Sequence, residues 1–250
     1  MKKLKIGIFG ISGCAGCLLT FIYEDLLKLV DVKSFPLIKE DSYKGQFDYV
    51  FIEGTVCFDK DILKIKKLRK RAKYVVALGS CACFGGVPSI KNFMDKRKAE
   101  YFVYPKINHL NSEDPTPLDK HIKVDYFIPQ CPPNKEEITR FIKLFSIGKK
   151  PKTYVKAVCF ECKKKGIHCL LEDNKICIGP ITSGGCKAIC PENKTGCYGC
   201  RGPCPDANFD VFSKLLIEKG CHLKQIQEIM QTFAGLQFME KEKKSRCTIK

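Results

Sequence analysis

Short apolar runs alternate with amphipathic segments through the first 150 residues. Runs of strand length lie at 5–11, 49–52, 74–79 and 124–128, and helical spacing of apolar residues covers 18–30, 59–71 and 135–147. Strands that are apolar throughout and alternate with helices are typical of a parallel sheet that is covered on both faces. The pattern predicts an α/β fold for residues 1–150, with a flavodoxin-like, doubly wound parallel sheet.

The pattern changes beyond residue 150. Gly148-Lys149-Lys150-Pro151 predicts a domain boundary, and residues 157–205 combine many cysteines with little regular periodicity. A small domain without its own apolar core needs another organiser such as metal. Helical spacing returns at 211–235 before a charged tail at 240–250, which we expect to be frayed. Residues 151–250 are therefore predicted to form a small, irregular domain that binds metal through its cysteines and ends in a helical segment. Residues 91–120 are polar and predict a surface excursion of the first domain.

Cysteine is the most informative part of the composition. The chain has 17 Cys in 250 residues, and it contains 44 Lys and Arg. The sequence contains no run of 18 uncharged apolar residues, so no membrane-spanning helix is predicted. The lysine-rich start is a poor secretory signal. We therefore expect a cytoplasmic protein, in which cysteines serve more often as metal ligands or catalytic thiols than in disulfides.

The net charge of +17 leaves several interpretations open. It fits a solvated lysine surface, and it also fits a protein that binds nucleic acid. Each [4Fe–4S] cluster with four thiolates adds a charge of about −2, so three clusters would leave about +11. The charge alone does not choose among these interpretations.

A first set of cysteines follows predicted strands. Cys14 and Cys17 come after the first strand, Cys81 and Cys83 after the third, and Cys131 after the fourth. Loops at the carboxyl ends of parallel strands meet at one edge of the sheet. Cys14, Cys17, Cys131 and one of Cys81 or Cys83 therefore suit an iron–sulfur cluster. The alternative is a redox C-x-x-C of thioredoxin type, which needs neither Cys81 nor Cys131.

A second set of eight cysteines makes two groups of four. They are Cys159, Cys162, Cys169, Cys177, Cys186, Cys190, Cys197 and Cys200. Two zinc ribbons would use the same residues. Because a third thiolate set lies in the same chain, two [4Fe–4S] clusters in an electron-transfer chain are the favoured interpretation. The remaining cysteines, which we interpret as ordinary thiols, are Cys57, Cys83, Cys204, Cys221 and Cys247; Cys204 could be a spare ligand.

The motifs in their order resemble the small subunit of [NiFe] hydrogenases. The matching residues are Cys14-x-x-Cys17, Glu53-Gly54, Gly79-Ser80-Cys81-x-x-x-Gly85-Gly86, Cys131-Pro132-Pro133 and Cys197-Tyr198-Gly199-Cys200-Arg201-Gly202. The nearest likeness is to the cytoplasmic class, which includes sulfhydrogenase delta subunits and the gamma subunits of F420-reducing and methyl-viologen-reducing hydrogenases. The electron-input subunit of respiratory complex I resembles the first domain alone.

The resemblance implies three all-cysteine clusters. It implies a proximal cluster on Cys14, Cys17, Cys81 and Cys131, with Cys81 at the family's position. It implies a distal cluster on Cys159, Cys162, Cys169 and Cys177, and a medial one on Cys186, Cys190, Cys197 and Cys200. Periplasmic relatives have a His in place of Cys159 and a three-iron medial cluster, so Cys159 and Cys190 point to three [4Fe–4S] clusters. Glu53 is either a loop-organising carboxylate or an accessory group for proton handling or cluster tuning.

The implied function is electron transfer within a hydrogenase, an oxidoreductase. The nickel–iron site would lie in a large subunit, and a further flavin or iron–sulfur subunit would exchange electrons with this chain. No catalytic residue and no nucleic-acid partner are expected under this interpretation. A stand-alone iron–sulfur carrier is an alternative, and a zinc-stabilised nucleic-acid-binding protein is a weaker one. The terminal acceptor stays open among NAD(P), polysulfide, F420, ferredoxin and heterodisulfide.

Overall fold

The computed structural model describes residues 3–38, 42–95 and 113–247 and divides the chain into two compact units. The first unit is Met1–Lys152 and the second is Thr153–Lys250. Within the predicted surface excursion at 91–120, residues 96–112 lie outside the described residues. The side chains of residues 243–247, including the Cys247 thiol, also lie outside the described part of the structure.

Five strands in the described part of the first unit form one parallel sheet. They are Lys5–Gly10 (β1), Asp31–Ser34 (β2), Phe47–Glu53 (β3), Ala72–Leu78 (β4) and Tyr126–Ile128 (β5). The spatial order is β2-β1-β3-β4-β5, with every neighbouring pair parallel. This is the flavodoxin-like order, in which the chain winds away from β1 in both directions. The predicted α/β fold class is confirmed.

Helices and two apolar cores cover the two faces of this sheet. The helices are Gly16–Leu19 (α1), Glu24–Lys28 (α2), Asp59–Arg71 (α3), Gly79–Phe84 (α4) and Lys135–Ser146 (α5). One core contains Phe21, Phe51 and Phe141 on the side of α2 and α5. The other contains Ile52, Ile65 and Leu68 on the side of α3. Burial on both faces explains why the strands are continuous apolar runs in the sequence.

One predicted element of the first unit is wrong. The spacing at 18–30 predicted a single helix, but the chain forms α1 and α2 with a break between them. Ile22 and Tyr23 in the break are 45% and 48% exposed, so they do not belong to a buried helical stripe. The edge strand β2 was missed because its sequence, Asp-Val-Lys-Ser, is short and half polar.

The second unit has short helices and irregular loops before a helical C-terminal segment. Its helices are Val158–Lys164 (α6), Ile189–Glu192 (α7), Phe209–Glu218 (α8) and Leu223–Cys247 (α9). The predicted helix at 211–235 is two helices, separated near Gly220, whose φ is +83°. The prediction of a frayed end is wrong up to Cys247, because α9 continues to that residue. Among the described residues, no helix is long and apolar enough to cross a membrane.

Candidate functional site

Loops at the carboxyl edge of the sheet bring four cysteines of the first unit together. Cys14 and Cys17 follow β1, Cys81 lies in α4 directly after β4, and Cys131 follows β5. Burial, and then the negative charges of Cys131, Glu53 and Cys14, raise the pKa of the Cys81 thiol to about 12. Burial is also the main cause of the raised pKa of Cys17, followed by the charges of Glu53, Cys81, Cys131 and Cys14. The four thiols therefore share one site.

The structure separates Cys81 from Cys83. Cys83 is 2% exposed and belongs to the core on the α3 side of the sheet, where its thiol donates to the Ala77 carbonyl at 3.5 Å. Cys17 packs in the core on the opposite side. The pKa of Cys81 responds to Cys131 and Cys14, as described above, so Cys81 faces the shared site. This geometry favours Cys81 as the fourth member of the set.

Two glycines let the backbone approach the sulfur atoms of this site. Gly79 has a φ of +85°, and a Cβ added there would overlap the Cys17 Sγ. Gly86 has a φ of +62°, and a Cβ there would overlap the Cys81 Sγ. Side chains at these positions would combine left-handed strain with a steric clash. The two glycines thus allow the backbone to lie close to two of the four sulfur atoms.

Glu53 organises the loop that carries Cys14 and Cys17. It ends β3, is 3% exposed, and accepts hydrogen bonds from the backbone N–H groups of Ala15 and Cys17 and from the Cys17 thiol. Burial raises the pKa of Glu53, and these three hydrogen bonds act in the opposite direction. The contacts are those of a loop-organising carboxylate, one of the two roles that the sequence left open for this residue.

The second unit brings four of its cysteines around the start of α6. Burial, and then the charges of Cys177, Cys162 and Cys169, raise the pKa of Cys159 to about 12. Burial, and then the charges of Cys177, Cys186 and Cys169 among others, raise the pKa of Cys162 to about 11. Gly179 lies between two of these residues, since a Cβ there would be 3.4 Å from the Cys177 Sγ and 3.5 Å from the Cys159 Sγ.

The other four cysteines are linked in pairs. Burial, and then the charge of Glu161, raise the pKa of Cys186. The charge of Cys190 raises it as well. Burial is the main cause of the raised pKa of Cys197, and the charges of Cys177 and Cys200 raise it further. The two groups also meet, because Cys186 raises the pKa of Cys162 and Cys177 raises the pKa of Cys190. The Cys177 sulfur accepts the Cys197 N–H at 3.2 Å as well.

Backbone N–H groups point at several of these sulfur atoms. Cys177 accepts from Cys197, and further backbone hydrogen bonds run from Val87 to Cys81, from Ala188 to Cys186 and from Gly199 to Cys197. Such donors stabilise thiolate and sulfide, and hydrogen bonds to sulfur tune iron–sulfur clusters. Burial and neighbouring thiols raise the pKa values of these groups, so a bound cation would favour their thiolate form.

The chemistry of the donor atoms is the evidence for the kind of group these cysteines could hold. Within 3–38, 42–95 and 113–247, no three His, Cys, Asp or Glu side chains converge as ligands of a single metal ion. The sulfur donors, several of which accept backbone N–H groups, are of the kind that holds an iron–sulfur cluster.

Glu161 is a functional candidate that the sequence analysis missed. It stands between Cys159 and Cys162, and its carboxylate accepts from the backbone N–H groups of Gly185 at 3.0 Å and Ala188 at 3.2 Å. It thereby ties α6 to the loop that carries Cys186. The only signal in the sequence is an acid placed inside a C-x-x-C pair, which does not reveal the distant loop.

The remaining described cysteines lie in other surroundings. Cys57 is half-buried, and burial followed by the charge of Asp61 raises its pKa. Cys204 is buried with its thiol 3.7 Å from the Pro180 carbonyl, and burial together with Asp206 raises its pKa to about 11. Cys221 is buried as well. None of these three is among the residues named above whose charges raise the pKa values of the other cysteines.

Comparisons with known proteins find that the chain is similar to subunits of hydrogenases and of a related oxidoreductase. Residues 13–145 match the family described as NADH ubiquinone oxidoreductase, 20 Kd subunit. Sulfhydrogenase 2 subunit delta of Pyrococcus furiosus is 33% identical over 245 residues, which cover 92% of this chain and 99% of that protein. One polypeptide of the vhu F420-non-reducing hydrogenase of Methanocaldococcus jannaschii is 30% identical over 235 residues, covering 80% of this chain and 82% of the relative.

A solved structure extends this likeness to three dimensions. A chain of an NAD+-reducing [NiFe]-hydrogenase in the H2-reduced state superposes with a TM-score of 0.52 and is 29% identical. The superposition covers 60% of this chain and 95% of that chain.

Proposed function

Since the chain belongs to the family of [NiFe] hydrogenase small subunits, which shares its first domain with the NADH ubiquinone oxidoreductase 20 kDa subunit, we propose that it holds three [4Fe–4S] clusters for electron transfer. Family membership makes the chain part of an oxidoreductase. The observation that carries the proposal is the meeting of Cys14, Cys17, Cys81 and Cys131 at one sheet edge. A thioredoxin-type site would not need the last two residues.

The proposal assigns four ligands to each cluster. The proximal cluster uses the four cysteines of the first unit. The distal cluster uses Cys159, Cys162, Cys169 and Cys177, supported by the mutual charges of these residues. The medial cluster uses Cys186, Cys190, Cys197 and Cys200, supported by the pairing of Cys186 with Cys190 and of Cys197 with Cys200.

The chain's own residues bind and orient these groups. A bound [4Fe–4S] cluster would supply one-electron redox chemistry. Glu53 fixes the loop of the first two proximal ligands, and Glu161 fixes the loop of Cys186. Glycines at 79 and 86 allow the close approach of backbone to sulfur. Backbone donors to the sulfurs favour their anionic form.

We further propose two protein partners and a place in the cell. The first partner is a nickel–iron large subunit, as the names of the related hydrogenases imply. The second is a flavin or iron–sulfur subunit that exchanges electrons with the distal end. A cysteine-rich chain of this kind suits a reducing compartment, so we propose that the complex works in the cytoplasm.

Purification of the tagged chain from its native cells, without oxygen, tests this function. We expect it to co-purify with a larger protein that contains nickel. Hydrogen should then bleach the visible absorbance of the complex, whereas the separated chain should respond to dithionite but not to hydrogen. An iron-loaded chain that is always isolated without a nickel protein would instead support a stand-alone electron carrier.

A further inference from the structure

The second unit exposes an apolar patch beside the first cysteine pair of α6. We call it the Phe160 surface and define it by Tyr154, Val155, Lys156, Phe160, Lys164 and Lys187, which line a groove of about 610 Å³. Val155 and Phe160 are 58% and 51% exposed. Exposed apolar side chains that are grouped and bordered by charge mark interaction sites more often than single ones do.

Positive charge surrounds this patch. Lys156 places its Nζ 4.0 Å from the centroid of the Phe160 ring. Lys163 and Lys164 occupy the last turn of α6. Within the described part of the chain, neither these three lysines nor Lys187 forms an ion pair, whereas the neighbouring Lys165 pairs with Glu192 at 2.6 Å.

The one acid of α6, Glu161, also lines the groove, but it is a single negative charge among several lysines. The Glu161 carboxylate is turned towards the backbone of Gly185 and Ala188 and accepts their N–H groups. The rim of the Phe160 surface is therefore basic. A partner that covers it has to supply acidic side chains, because like charges brought together across an interface cost affinity.

The patch also lies next to residues that carry redox chemistry in the proposed function. Phe160 stands between Cys159 and Cys162 on one helix, and both thiols are half-buried. Cys169 of the same group is exposed, whereas Cys177, Cys186 and Cys197 are buried. A partner seated on the Phe160 surface would approach the more exposed of the two cysteine groups of the second unit.

We propose that the Phe160 surface is the docking site of an acidic redox protein, an inference that rests on the proposed electron-transfer function. The lysines steer the encounter from a distance. The apolar side chains at the centre supply the contact that excludes water once the two proteins have met. The two contributions respond differently to salt, since screening weakens the first far more than the second.

Binding of an acidic plant-type [2Fe–2S] ferredoxin to the anaerobically made, iron-loaded full chain tests the proposal. The variants are a charge-reversed pair, Lys156→Glu with Lys164→Glu, and the single change Phe160→Ala. The matched control, Lys67→Glu with Lys70→Glu, makes the same change in net charge on the exposed face of α3. Association is followed with oxidised ferredoxin, so that binding does not depend on electron transfer.

The docking proposal predicts a specific order of effects. Reversing Lys156 and Lys164 should slow association about tenfold or more at about 50 mM salt and much less at about 500 mM. Phe160→Ala should weaken binding at both salt concentrations, and the control pair should change it less than about twofold. Equal effects of the two charge-reversed pairs, or absence of ferredoxin binding, overturns the proposal. Tighter binding of an oligothymidylate to the same surface also overturns it and favours a nucleic-acid partner.

Iron analysis of the same preparations separates this inference from the proposed function. If an iron-loaded, reducible chain does not bind ferredoxin, the docking surface is rejected and the electron-transfer function stands. If the chain binds ferredoxin through the Phe160 surface but never takes up iron, the proposed function fails instead.

Discussion

The choice between Cys81 and Cys83 offers a sharp test, because two nearly adjacent thiols are given opposite roles. Cys81 shares a site with Cys131, Glu53 and Cys14, whereas Cys83 lies in the core on the α3 side of the sheet. Replacing Cys81 by serine removes one of four proposed ligands. With three clusters in the chain, iron should fall from about twelve to about eight atoms per chain. The electron paramagnetic resonance signal of one reduced cluster should disappear.

The matched change Cys83→Ser should leave the iron content unchanged. The thiol donates to the Ala77 carbonyl at 3.5 Å, and a serine hydroxyl can still make a hydrogen bond there. Placing a hydroxyl in this apolar core should cost about 1 kcal/mol, which corresponds to a fall in Tm of about 2–4 °C for a chain of this size. Iron analysis, spin quantitation and thermal unfolding of both variants give the answer. Equal iron loss in the two variants would refute the assignment of the fourth proximal ligand.

Three further predictions follow from the packing around the cysteine groups and from one ion pair. Gly79→Ala should reduce iron loading, because the new Cβ overlaps a proposed ligand sulfur. The control Gly148→Ala also has a positive φ, of +69°, but nothing lies within 4 Å of its Cβ, so iron loading should stay intact. Equal iron loading of the two variants would contradict the steric argument. Glu161→Gln should lower iron content or shift the spin signal of the second unit, and the exposed control Glu192→Gln should not; identical spectra would rule out a positioning role for the carboxylate. Asp125→Asn should lower the free energy of unfolding by about 1–3 kcal/mol, because the carboxylate binds Arg69 at 2.5 Å and accepts the Val75 N–H at 2.8 Å. Denaturant titration measures this change, and an unchanged midpoint would refute the prediction.

The sequence was sufficient to predict four of the five described strands, because the central ones are buried on both faces. Residues 49–52 and 74–79 are continuous apolar runs of strand length, which are typical of a covered parallel strand. The edge strand Asp31–Ser34 has no such signal, since half of its residues are polar. The break between α1 and α2 was missed for a related reason: Ile22 and Tyr23 continue the helical spacing but are exposed.

The candidate site could be predicted in part for a similar physical reason. A cysteine after a strand end has to lie at the carboxyl edge of the sheet, so the proximity of Cys14, Cys81 and Cys131 follows from topology. The inward turn of Glu161 does not follow, because it depends on a loop 24 residues away whose N–H groups face the carboxylate. The basic rim around Phe160 likewise depends on which lysines of a lysine-rich segment share one surface.

The number of irons bound by the chain tests the proposed electron-transfer function most directly. Iron and acid-labile sulfide should be measured per chain on protein that is made and purified without oxygen. We predict about twelve of each, the content of three [4Fe–4S] clusters. Zinc with little iron would contradict the three-cluster proposal and favour a zinc-stabilised protein that binds nucleic acid.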